Sequence, residues 1–142
     1  MIYIGIDPGT HTGVAVWSTK ERKFIDVRTL KLHQALAYVG ETCDWAKAND
    51  INVFLIFEDA RLRKWYGNDP EIVRKKMKGA GSVERDCSVW EEFCEDNFIE
   101  YESKKPAKGM TKMSAESFNL YTGWQGRTSN HARDAGMLVF GR

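Results

Sequence analysis

The run Ile4-Gly5-Ile6-Asp7-Pro8-Gly9-Thr10-His11-Thr12-Gly13 decides how this chain reads. Ile2, Ile4 and Ile6 alternate with Tyr3 and Gly5, the period-two pattern of a strand, and Pro8-Gly9 is turn chemistry that ends it. Asp7 therefore stands at the end of a buried strand, where a tight turn begins. A carboxylate is rarely left in apolar surroundings without a partner. A divalent cation is one partner that would hold it ionised, and a cap on the turn is the alternative. The same start lacks the basic segment and cleavage site of a signal peptide, so a cytoplasmic protein is expected.

Outward from this run, strands are expected at Tyr3 to Asp7, Gly13 to Ser18 and Lys23 to Leu30, joined as antiparallel hairpins by short turns. From Leu32 to Asn49 the residues Leu32, Leu36, Val39, Cys43 and Ala46 recur at helical spacing and predict an amphipathic helix packed on the sheet. Val53 to Phe57 is a continuous apolar run of strand length, which suits a strand buried on both faces beside the first. It is far shorter than the ~20 residues of a membrane span. Residues 59 to 70 read as a polar, basic and aromatic surface loop. Beyond it, a short helix is expected at Glu71 to Lys78 and a longer one at Ser82 to Asn97. A fifth strand at Phe98 to Tyr101 and helices near Ser114 to Tyr121 and Asn130 to Phe140 complete the order, the last capped by Ser129 or Asn130.

Bulk properties bound the answer. The 142 residues suffice for one hydrophobic core, so a single domain spanning 1–142 is expected, without room for two full-sized ones. Three cysteines, Cys43, Cys87 and Cys94, without C-x-x-C spacing suggest neither a disulfide framework nor structural zinc. Cys87 and Cys94 share a helix face with Trp90, the mark of core packing. The net charge of +1 hides segregation. Arg61, Arg63, Lys64, Arg74, Lys75, Lys76 and Lys78 meet only Asp69 and Glu71, and Lys104, Lys105, Lys108 and Lys112 cluster without an acid. Such groups are ordinary solvated surface unless the fold sets them beside a catalytic site, where they would neutralise phosphates.

Three further residues bear on Asp7. Glu58 ends the second buried strand, and an adjacent parallel strand would place it near Asp7. Two carboxylates there suit Mg²⁺ or Mn²⁺. An ion pair of Glu58 with Arg61 or Arg63 is the bland alternative, and Asp59 competes with Glu58 as ligand. His131 and Asp134, three apart on the last helix, project from one face. Singly, His131 reads as structural, and Asp134 has Arg133 or Arg127 as alternative partners.

Taken together, these motifs resemble the RuvC family of Holliday-junction resolvases in the RNase H-like superfamily. Gly5-Ile-Asp-Pro-Gly-Thr10 with Gly13 is similar to the family's first motif, Ile56-Phe-Glu58 to its second, and His131-Ala-Arg-Asp134-Ala135 to its closing one. The resemblance runs over nearly the whole chain in length and element order, is greater to the compact versions encoded by bacteriophages than to the longer cellular enzymes, and finds no counterpart for residues 59 to 78. It implies an α/β, RNase H-like fold with a mixed five-stranded sheet flanked by helices. It also implies a homodimer acting in a bacterial cell or phage-infected host, and Asp7, Glu58, His131 and Asp134 as catalytic metal ligands.

The expected chemistry is phosphodiester hydrolysis in branched DNA with two Mg²⁺ (or Mn²⁺) ions about 3.5–4 Å apart, cutting a four-way junction by paired nicks. Asp7 would bridge both ions, Glu58 and Asp134 would hold one each, and His131 would ligate or orient the attacking water. Arg61, Arg63, Lys64, Lys105, Lys108 and Lys112 are candidate phosphate contacts, and Trp65 and Tyr66 candidates for stacking on exposed bases. Three rivals stand beside this reading: an actin-like or sugar-kinase ATPase, which needs two such domains; a non-catalytic nucleic-acid-binding module on the same fold; and a nuclease of broader flap or fork specificity.

Overall fold

Strands β1 (Ile2–Asp7), β2 (His11–Ser18), β3 (Lys23–Lys31), β4 (Val53–Glu58) and β5 (Glu100–Lys104) form one sheet in the order β3-β2-β1-β4-β5. The chain is seen here as a computed structural model that describes residues 1–62, 69–106 and 112–142, the side chains at 75, 76 and 78 excepted. The first three strands are antiparallel, as their tight turns require, whereas β4 and β5 join parallel to β1 and to each other. The sheet is therefore mixed and five-stranded, as expected.

Alternation along β1 and β2 splits the core between two faces. Ile2, Ile4, Ile6, Val14 and Val16 pack with Leu55 and Phe57 under helices α1 (Leu32–Ala48) and α2 (Pro70–Asp96). Ala15, Trp17 and Ile56 face α3 (Ala115–Thr122) and α4 (Asn130–Val139) through Phe118, Ala132, Ala135 and Val139. Ile4, Ile6, Leu55 and Phe57 are 0% exposed. At about 1.5–3 kcal/mol each, they anchor most firmly the two central strands whose ends carry Asp7 and Glu58. Cys87, Trp90 and Cys94 lie in the same core, and all three cysteines are free thiols.

Two expectations need correction. The helices at Glu71 to Lys78 and Ser82 to Asn97 are one continuous helix, α2. Gly79 and Gly81 lower helix propensity by about 1 kcal/mol apiece but block nothing. Asp69 caps the start by accepting from the amide of Glu71 at 2.9 Å, Pro70 fits the first turn, and the buried Cys87, Trp90 and Cys94 hold the far half. The fifth strand begins at Glu100 rather than Phe98. Phe98 is 95% exposed at φ 55°, and its amide still donates to the carbonyl of Glu95, so it belongs to the exit of α2.

Candidate active site

β1 and β4 run parallel with Ile6 opposite Phe57, and one residue further on they end in Asp7 and Glu58. The pattern that buries Ile6 and Phe57 thus delivers two carboxylates to the same edge of the sheet. Helix α4 supplies the rest. Its cap, Ser129, accepts from the amide of Ala132 at 3.2 Å; the first turn carries His131, and Asp134 follows three residues on along the same face.

What seats α4 so closely is a pair of glycines in the opening motif. A Cβ at Gly13 would overlap the carbonyl of His131, and one at Gly5 the carbonyl of Ala135. Only glycine lets this backbone lie on β1 and β2, and that approach carries His131 to Asp7. His131 Nδ1 lies 2.8 Å from Asp7 Oδ2, with the Asp7 side chain 14% and the imidazole 43% exposed. One turn along, Asp134 accepts from the Lys112 ammonium at 2.9 Å.

Burial pushes the Asp7 carboxyl above its ordinary range, and the charge of Asp134 adds to the effect; the hydrogen bond and charge of His131, and the charge of Lys112, pull the other way. Lys112 is raised, chiefly by its hydrogen bond to Asp134, and the negative charges of Asp7 and Glu58 act on it as well. The four acidic and imidazole residues singled out in the sequence therefore share one end of the sheet. Asp7 and His131 are in contact, Asp134 acts on Asp7 through its charge, and Glu58 acts on Lys112 through its own.

Other candidates have different duties. Asp59, 2% exposed, accepts from Arg61 Nη2 and Nε at 2.7 and 2.8 Å, and Arg61 Nη1 reaches Glu91 at 2.7 Å. The guanidinium beside it holds the Asp59 carboxyl below its ordinary range. This network ties the turn after β4 to α2. Arg61 is thus turned inward among carboxylates, and Asp59 is committed to it. Cys87 Sγ lies 3.6 Å from the Glu58 carbonyl and donates to it, a second tie between α2 and the strand end. Lys105 is exposed just beyond β5, while Arg63, Lys64, Trp65, Tyr66 and Lys108 lie outside the described residues.

Two features escaped the sequence. Lys112 was read there as a phosphate contact, not as the partner of Asp134. Arg133, only 8% exposed, donates to the carbonyls of Met113 and Thr128, each at 2.7 Å, and to Asn130 Oδ1. It pins the segments on either side of α3 to α4 and fixes the residue next to Lys112. A buried arginine beside a half-buried aspartate three residues from a histidine carries no periodic signal of that role.

No protein-family model and no curated protein matches the chain. Among solved structures, that of RuvC from Thermus thermophilus matches 95% of this chain and 89% of that one, with a TM-score of 0.52 and 14% sequence identity.

The chain has the RNase H-like fold.

Within the RNase H-like fold the donor set at this end of the sheet is three carboxylates and an imidazole, and hard oxygen donors of this kind fit Mg²⁺ or Mn²⁺. An ammonium already sits against one of the carboxylates, so the position attracts positive charge. Among the described residues, no three His, Cys, Asp or Glu side chains converge closely enough to hold an ion as they stand. Asp7 faces His131 and Asp134 faces Lys112. No helix among the described residues is long and apolar enough to cross a membrane.

Proposed function

We propose that this chain is a metal-dependent endonuclease that hydrolyses phosphodiester bonds in branched DNA, with four-way junctions as its substrate. The observation that carries the reading is the meeting of Asp7, at the end of a buried strand, with His131 on a helix seated by Gly5 and Gly13, while Glu58 and Asp134 lie at the same edge. The fold shared with a RuvC structure supports it.

Asp7, Glu58 and Asp134 would hold the ions, two per site, with Asp7 serving both. Bound there, Mg²⁺ or Mn²⁺ would supply an activated water and charge compensation at the leaving oxygen. His131, fixed by its contact with Asp7, orients or accepts a proton from the attacking water. The partly buried setting of Asp7 suits a carboxylate whose charge a bound cation would offset. Lys105 lies on the exposed path beyond β5, where a phosphate backbone would pass. Cutting two opposed strands of a junction calls for two sites related by symmetry, hence a homodimer.

Incubating labelled four-way junction, fork, flap and linear duplex with the protein and Mg²⁺, Mn²⁺ or chelator tests this. Paired nicks confined to the junction are expected. Cutting of forks and flaps at equal rates would leave a nuclease of broader specificity, and binding without cutting under either metal would point to a non-catalytic module.

A further inference from the structure

Among the described lysines of its cluster, Lys112 is paired with a carboxylate of the candidate site. Its Nζ lies 2.9 Å from Asp134, and the charges of Asp7 and Glu58 act on it too. Its position is not that of a loose tail. Arg133, itself buried, holds the adjacent Met113 carbonyl at 2.7 Å, and Ser114 begins the cap of α3 immediately after. The charges of Asp7 and Asp134 oppose one another, as the upward push of Asp134 on the Asp7 carboxyl records. The ammonium offsets that repulsion by engaging Asp134.

We infer that Lys112 is the built-in counter-ion of the carboxylate cluster, and that a divalent cation must displace its ammonium from Asp134 to occupy the site. This rests on the metal-site reading above. Lys112 is a positioning residue in this role: by engaging Asp134 it sets the cation concentration at which that carboxylate turns inward. Its side chain is 56% exposed, so the displaced ammonium can pass into water at little cost.

The test is Mn²⁺ binding to the full chain without DNA, by titration calorimetry, for wild type, Lys112→Met and Lys105→Met. Removing an exposed ion-pair competitor should tighten Mn²⁺ about fivefold in Lys112→Met, while Lys105→Met, which loses the same charge outside the cluster, stays at the wild-type value. Thermal unfolding gives a second readout, with Mn²⁺ raising the midpoint further in Lys112→Met than in wild type. A third is the ¹³C-methyl signal of reductively methylated Lys112, which Mg²⁺ should move toward its position in Asp134→Asn. Equal affinity in wild type and Lys112→Met, or equal tightening in both lysine variants, overturns the inference and leaves the metal site standing. Absence of Mn²⁺ binding in all three proteins overturns the metal site itself, and the inference with it.

Discussion

His131 Nδ1 and Asp7 Oδ2 stand 2.8 Å apart although 124 residues separate them in the chain. The contact joins the last helix to the first strand, and it exists because glycine at 5 and 13 removes the side chains that would hold the two apart. Folding therefore has to bring the ends of the chain together before the site exists at all.

The same glycines make the first prediction. Gly13→Ala puts a Cβ into the His131 carbonyl, where the neighbour is backbone and cannot rotate away. Overpacking of this kind costs about 1–3 kcal/mol or more, and it should displace His131 and abolish cleavage. Gly79→Ala and Gly81→Ala meet open space in a helix, and each should stabilise by about 0.5–1 kcal/mol. Denaturant midpoints of the three variants check both signs.

Asp7 gives a pH-dependent prediction. Its folded carboxyl is raised above the ordinary 3.8, chiefly by burial, so the folded chain holds that proton more tightly than the unfolded one. The stabilisation this brings is complete below 3.8 and is lost as pH rises through the raised value. Asp7→Asn keeps an acceptor for His131 without the charge. At pH 7, without divalent metal, it should be the more stable protein by on the order of 1 kcal/mol. The gap should close on acidification, and added Mg²⁺ should favour wild type. Melting curves from pH 3 to 8, with and without Mg²⁺, read this directly.

The Asp59–Arg61–Glu91 network behaves oppositely. Arg61 depresses the Asp59 carboxyl, so its contribution is present above 3.8 and is lost as pH falls through the depressed value. Arg61→Ala leaves a buried carboxylate without its guanidinium. Breaking a buried pair costs about 3–5 kcal/mol, and the 29% exposure of the Arg61 side chain brings the expectation to about 2–3 kcal/mol. The Asp59→Asn/Arg61→Ala double variant should lose less than the sum of Asp59→Asn and Arg61→Ala. A double-mutant cycle by urea unfolding measures the difference.

These residues also show what could be read from sequence. Asp7 and Glu58 were legible because each ends an apolar strand pattern, and a carboxylate there stands out. His131 and Asp134 were legible as a pair because helical spacing puts them on one face. Arg61 and Asp59 were not, since two residues in an aperiodic turn give no hint that one folds back on the other and on Glu91. The close approach of α4 at Gly5 and Gly13 was not legible either, because in the sequence these glycines belong only to a strand-and-turn pattern. Gly79-Ala-Gly81 looked like a helix break, yet tertiary anchoring by Trp90 and its neighbours outweighs the propensity lost. The Lys112–Asp134 pair spans 22 residues and an intervening helix, beyond the reach of any local pattern.

Cleavage of a labelled four-way junction by wild type and Asp7→Asn, with Mg²⁺ and with chelator, tests the central claim most directly, provided junction binding is measured in the same samples. The account predicts Mg²⁺-dependent nicks by wild type, none with chelator, and none by Asp7→Asn, which still binds the junction. Cutting by Asp7→Asn at the wild-type rate, or cutting that survives the chelator, would contradict it.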